Sequence, residues 1–243
     1  MTHFFFNGHD MTEHLDVVSF GVSALPKATP ITMEVGGRDG VVYLGSRLEP
    51  YVVTVEARLA TDSIDPAEIQ RRWALVASLL RTREPAPLSI SPGIYRMAVL
   101  HEETPLEFFS YSATASLQFY CPDPVAFGDE RTVSVPSGGS ATFTVGGTHP
   151  TFPTIAASAA VRNATSHGWR VRLDDGDFVQ VDTGTSNAAA VSIDCAKRTC
   201  RVGSTYVLPT LTSDWLELAP GEHTIRNDLG TGACTVTFRE RWL

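Results

Sequence analysis

Ten residues beginning at Tyr51 set the first constraint. Val53, Val55, Ala57 and Leu59 alternate with Thr54, Glu56 and Arg58. Period-two alternation fits a half-buried strand, because successive side chains of a strand point to opposite faces. Residues 108–121 extend the pattern. Phe109, Tyr111, Ala113, Ala115, Leu117, Phe119 and Cys121 fall on one face, and Ser110, Ser112, Thr114, Ser116 and Gln118 on the other. A strand of that length exceeds the usual one, so it is expected to bend at a bulge or to project beyond its own domain. A chain with two such runs must close a sheet over a core.

One helix interrupts the strands. Asp65-Pro66-Ala67-Glu68 offers an N-cap, a proline at the first helical position and an acid three residues after the cap. Ile69, Trp73, Val76, Ala77 and Leu80 then recur at helical spacing, with Arg71, Arg72 and Arg81 off the stripe. Pro85 and Pro87 close the segment, so the helix is expected over about 66–82. Trp73 reads as a core anchor.

Turn chemistry at Cys121-Pro122-Asp123-Pro124 and Gly128-Asp129 marks a boundary near residue 130. This divides the chain into an N-terminal β-rich domain with one helix (1–130) and a C-terminal domain (131–243). Beyond the boundary, short strands are expected at 131–135, 140–145, 153–161, 168–174, 177–183, 189–195, 199–202, 204–208, 214–218, 222–227 and 232–242. Asp174-Asp175-Gly176-Asp177 and Ala219-Pro220-Gly221-Glu222 are the clearest turns between them. Many short strands and no helix indicate a β-sandwich.

Composition excludes several classes. The chain is 43% hydrophobic and 19% charged, as in ordinary globular proteins. No apolar run approaches membrane-spanning length, so no membrane insertion is expected. Phe4-Phe5-Phe6 is too short for a signal-peptide core and lacks a basic leader, which points to folding in a cytoplasm. The net charge of -8 argues against a nucleic-acid binder, since affinity for the phosphate backbone comes from Lys and Arg.

No catalytic, cofactor or metal site emerges. Cys121, Cys195, Cys200 and Cys234 have no CxxC spacing and no His at zinc-ligand distance in sequence. Cys195 and Cys200 flank a four-residue turn and could pair across a hairpin, although a cytoplasmic product is expected to keep them reduced. Asp174, Asp175 and Asp177 crowd one turn instead of facing each other across a cleft, so a hairpin tip is expected there and not a carboxylate pair. His101-Glu102-Glu103 reads as a polar loop before Pro105, and Asn163-Ala164-Thr165 as an unmodified loop. There is no Gly-x-Ser-x-Gly elbow, P-loop or dinucleotide fingerprint.

Several segments, in order, carry a family resemblance. They are Phe6-Asn7-Gly8-His9-Asp10, the turn Gly37-Arg38-Asp39-Gly40 leading into Val53-Thr54-Val55, and Phe119-Tyr120-Cys121-Pro122-Asp123-Pro124. In the second half follow Pro150-Thr151-Phe152-Pro153-Thr154-Ile155, Ile193-Asp194-Cys195, Trp215-Leu216-Glu217-Leu218-Ala219-Pro220-Gly221 and the closing Phe238-Arg239-Glu240-Arg241-Trp242-Leu243. Together they resemble the distal tail protein family of long, non-contractile-tailed phages. His223 stands where that family is expected to carry Asn.

The resemblance implies a mainly β, non-enzymatic structural protein with a galectin-like C-terminal sandwich. It implies N-terminal domains joined into a ring of six, at the tip of the virion tail. The ring would lie between the tail tube protein and the tail-tip hub, with a central channel for DNA. The C-terminal domains would project outward, where a receptor-binding protein could attach. A galectin-like domain also raises a carbohydrate-binding alternative, with Trp169 as the glycan contact.

Strand edges supply a physical route to a ring. An unpaired edge can be extended by a neighbour, and a head-to-tail interface closes when its rotation divides a full turn. The runs 41–59 and 108–121 are the expected edges. Residues 36–60 are expected in the inter-subunit belt, through Tyr43, Leu44, Tyr51, Val52, Val53 and Val55.

Overall fold

The computed structural model describes residues 3–61, 63, 65–101, 106–109, 112–165, 167–174, 176–184 and 187–243. The chain separates into two compact units, Met1–Phe127 with Leu243, and Gly128–Trp242.

The first unit opens on a hairpin of β1 (Phe5–Phe6) and β2 (His9–Asp10). Asn7 and Gly8 both take positive φ, 50° and 81°, and Phe6 pairs with His9 across them. That is the two-residue turn whose twist suits a hairpin, and it explains the Asn-Gly pair. Asp10 then caps a single 3₁₀ turn at Met11–Glu13, accepting from the Thr12 amide at 2.9 Å and the Thr12 hydroxyl at 2.6 Å.

β3 (Leu15–Gly21), β4 (Ala28–Glu34), β5 (Val41–Leu48) and β6 (Tyr51–Leu59) follow. The helix α1 spans Pro66–Leu80, with the Asp65 carboxylate accepting from the Ala67 amide at 3.0 Å. Then come β7 (Ala86–Ser91), β8 (Ile94–His101), β9 (Leu106–Phe109) and β10 (Ser112–Cys121). The main sheet is antiparallel, in the order β7-β8-β10-β6-β3, and open at β3.

Val53, Val55, Ala57 and Leu59 are buried as the alternation requires, beneath Ile69, Trp73, Val76 and Leu80 of the helix. Phe119 is wedged between Phe4 and Phe6, with ring centroids 5.9 and 5.1 Å away. Phe4 and Phe6 are therefore core side chains, while Phe5, pointing to the other face, is only half-buried. Ala77 is exposed, against expectation. It sits one residue past Val76, a rotation of about 100° that takes it off the buried stripe.

The run 108–121 is two strands. β9 doubles back on β10, with Phe109 opposite Ser112, so alternation continues across a hairpin instead of along one long strand. Residues 110–111, including Tyr111, lie outside the described residues.

The second unit takes the rest of β11 (Ala126–Val135) and then β12 (Ser140–Val145), β13 (Thr154–Ala160), β14 (Trp169–Leu173), β15 (Phe178–Val181) and β16 (Ala189–Asp194). β17 (Thr199–Val202), β18 (Thr205–Val207), β19 (Gly221–Leu229) and β20 (Cys234–Trp242) complete it. One antiparallel sheet has the order β18-β17-β16-β13-β20-β11, the other β12-β19-β14-β15. Their buried positions share one core that includes Ile155, Trp169, Val171, Val179, Ile193, Ile225 and Val236.

The expected strand at 214–218 is absent. Leu216 and Leu218 are fully buried, but the backbone bonds diverge: the Asp214 amide goes to the Phe178 carbonyl and the Leu218 amide to the Thr151 carbonyl. A segment whose bonds go to two different neighbours forms no ladder, although its side chains alternate.

Candidate inter-subunit surface

β4 and β5 pair only with each other among the described strands and form a two-stranded sheet of their own. A lone hairpin of this kind has marginal stability in water, because neither face has a core to cover. Here the apolar side chains stand out. Val41 and Tyr43 alternate on one face, while Val42 pairs with Met33 on the other. Leu44 is the extra residue of a bulge, since Thr32 pairs with Tyr43 and Ile31 with Gly45. Tyr43 is 62% exposed and Leu44 59%, and Ile31, Met33 and Val41 are also exposed.

β3, the free edge of the main sheet, shows the same device. Val17 pairs with Ala57 and Ser19 with Glu56, so Val18 is the extra residue of a bulge and points outward. Val22 and Leu25, between β3 and the hairpin, are exposed too. Bulges at edges normally end pairing and re-aim side chains. Here they turn apolar groups toward the outside.

The structure divides the six belt candidates. Tyr43, Leu44 and Val52 are exposed, whereas Tyr51, Val53 and Val55 are buried in the core of the same unit. β6 is paired on one side by β3 and on the other by β10, and β10 is paired on both sides as well. Neither can offer an edge to a neighbour, which corrects the expectation for 51–59 and for the β10 part of 108–121; β9, which holds Phe108 and Phe109, is paired by β10 alone among the described strands. Tyr51 is further tied down: its hydroxyl donates to the Ser23 carbonyl, and Arg96 lies 4.6 Å over its ring. Sequence reasoning missed β4. A Gly-Arg-Asp-Gly turn with apolar runs on both sides, including Ile31 and Met33, was the available signal.

Trp169 does not serve a glycan contact in this arrangement. It is wholly buried in the core of the second unit, so neither ring face is open to a sugar. The neighbouring outward positions are spent on each other. Asp228 accepts from Arg170 at 2.7 and 3.0 Å and from Arg172 at 2.9 Å, and both guanidinium groups lie 5.0 Å from the Phe178 ring centre. Burial pushes the Asp228 carboxyl upward, but the two arginines hold it below its ordinary value.

The aspartate turn is tied to a neighbouring strand. Asp174 accepts from the Thr224 amide and from His223 Nδ1, each at 2.7 Å, and His223 Nε2 lies 2.7 Å from the Ala219 carbonyl. Burial disfavours the charge on both partners. The Thr224 amide and His223 nevertheless keep Asp174 below 3.8, and Asp174 with the Ala219 carbonyl keeps His223 above 6.5. An imidazole that donates at both nitrogens is the protonated form.

The latch therefore stabilises the fold while Asp174 is ionised and His223 charged. Its contribution from His223 is complete below pH 6.5 and is lost as pH rises through the elevated folded value; that from Asp174 is lost only on acidification below 3.8. Urea midpoints measured from about pH 5 to about pH 8.5 are expected to fall more steeply for the natural chain than for His223→Asn.

All four cysteines are free and buried. Burial pushes the Cys195 thiol up to about 12 and those of Cys121, Cys200 and Cys234 to about 11, so they are unreactive. Asn163 accepts from the Thr165 amide at 2.9 Å, a local turn. Glu102, Glu103 and Asp175 lie outside the described residues.

Known proteins align with this architecture along its length. The phage tail protein RIFT-related domain matches residues 9–121, and the C-terminal domain of the siphovirus-type tail component matches residues 146–242. The distal tail protein of Bacillus phage SPP1 is 24% identical over 253 residues, covering 98% of this chain and 94% of that one. The crystal structure of the SPP1 protein, described as a paradigm of the hub adsorption apparatus in phages infecting Gram-positive hosts, superposes with a TM-score of 0.79. It covers 100% of both chains at 22% identity, so it speaks for the fold.

Proposed function

The chain belongs to the distal tail protein family of siphophages, and on that premise we propose that it is the structural ring joining a tail tube to the tail-tip adsorption apparatus. Family membership brings no catalytic site with it, and the role is one of assembly. The second unit is read as a galectin-like sandwich that projects from the ring, and the first as the ring former. The virion tail tip is its place, reached by assembly in the host cytoplasm.

The observation that carries the ring is the β4–β5 hairpin, whose apolar side chains are exposed on both faces within its own subunit. A head-to-tail ring needs two different surfaces on each copy. The hairpin is one. The β3 border with Val18, Val22 and Leu25 is the other. Seating the first on the second of the next copy covers apolar area worth about 25 cal/mol per Å² before association costs. The net charge of -8 suits a wall that DNA must pass without being held. The carbohydrate-binding alternative has no supporting contact, given the burial of Trp169.

Mass photometry over rising concentration tests this reading. The expected result is a closed species near six times the 26.3 kDa chain mass. A chain that stays monomeric at high micromolar concentration contradicts it.

A further inference from the structure

Where β3 begins, the first unit carries a notch of about 190 Å³ between the 3₁₀ turn, the end of β6 and the helix. Leu59 and Val76 line it and are buried, so they form its floor. Leu75 lines it too and is 49% exposed, off the buried stripe of the helix. Glu13, His14 and Arg72 make the polar rim. His14 directly precedes β3, so the notch is continuous with the border that bears Val18.

The walls are fixed before anything enters. The Ala60 amide donates to the His14 carbonyl at 2.9 Å, which ties the end of β6 to the start of β3. Arg72 donates through Nη1 to the Ala60 carbonyl at 3.3 Å and through Nη2 to the Glu68 carboxylate at 2.8 Å. A recess held this way is preorganised, which lowers the ordering cost of filling it. Its apolar floor favours an apolar occupant over water.

The hairpin of a second copy offers that occupant. Near its tip the exposed apolar side chains are Met33, Val35 and Val41. The valines are short and stiff at Cβ, whereas Met33 is unbranched and adapts to an irregular recess. Charge selects the tip over the root of the hairpin. Glu34 and Arg38 at the tip make no ion pair among the described residues, and neither do Glu13 on the rim of the notch and Arg71 beside it. Each surface thus presents one free charge of each sign, so Glu34 can meet Arg71 while Arg38 meets Glu13. At the root, Arg47 and Glu49 already satisfy each other at 3.1 Å. Such rim pairs set register more than affinity.

We infer that Met33 of one copy fills the notch of the next, with Leu75 against its thioether. This rests on the ring reading above and gives the hairpin a socket beyond the β3 border. The test co-assembles two single variants, Met33→Cys and Leu75→Cys, and treats them with a short bismaleimide. The four natural cysteines are buried and do not compete. A covalent dimer with one chain of each kind is expected, and only when both variants are present. The double variant is expected to give a ladder of linked chains. Leu75→Glu is expected to weaken self-association roughly 30-fold, as for loss of one hot spot, with the unfolding free energy of the isolated subunit unchanged.

A ring that assembles without any link between positions 33 and 75 overturns the inference and leaves the ring reading standing. So does a Leu75→Glu chain that assembles at the natural concentration, or a double variant linked only within single chains, which would place the hairpin on its own notch. A natural chain that stays monomeric overturns the ring reading and this inference together.

Discussion

Replacing Tyr43 and Leu44 by glutamate is expected to dissolve the oligomer while leaving each subunit folded. Both side chains are exposed on the subunit, so the unfolding free energy of the isolated subunit is expected to stay within about 0.5 kcal/mol of the natural subunit's, compared at a concentration where neither is assembled. Within a ring they would be covered. Losing two anchors at about 2 kcal/mol each weakens self-association by ~1,000-fold. Mass photometry reads the outcome as monomer where the natural chain is assembled. Unchanged assembly at equal concentration would remove the hairpin from the interface.

Trp169→Ala is expected to cost about 3–5 kcal/mol, the range for emptying the site of a fully buried large aromatic. That is a large share of the roughly 5–15 kcal/mol that holds a domain together. The surroundings cannot collapse readily into the space. A Cβ on Gly230, which has φ of 80°, would stand 2.5 Å from the Val161 carbonyl and 3.1 Å from the indole, so the backbone is already pressed against the ring. Urea unfolding followed by near-ultraviolet circular dichroism is expected to show the second unit losing its packing first. A midpoint unchanged from the natural chain would mean that the indole is not a core element.

Much of this fold can be read from its residues. The alternation of 51–59 placed β6, and the Asp65-Pro66 cap with Ile69, Trp73, Val76 and Leu80 placed the helix, because local geometry alone decides which side chains face inward. The break between β9 and β10 was not legible, since a hairpin can preserve period-two alternation while reversing the chain. Leu216 and Leu218 misled for a related reason: burial alternates there, but the hydrogen bonds do not form a ladder.

The proposed interface was half legible. Apolar residues on both faces around Tyr43 and Leu44 signalled a strand with no interior of its own. Sequence could not separate them from Val53 and Val55, because whether a strand is central or free depends on which distant segments pair with it. The same holds for His223 and Asp174, which lie 49 positions apart and meet only because β14 and β19 are neighbours.

Cryo-electron microscopy of the purified oligomer decides whether the β4–β5 hairpin builds the ring. The expected result is an annulus in which residues 28–48 of every subunit are buried against the β3 border of the next, with Tyr43 and Leu44 out of contact with solvent. An annulus built through other surfaces, with these hairpins projecting into solvent, would contradict it.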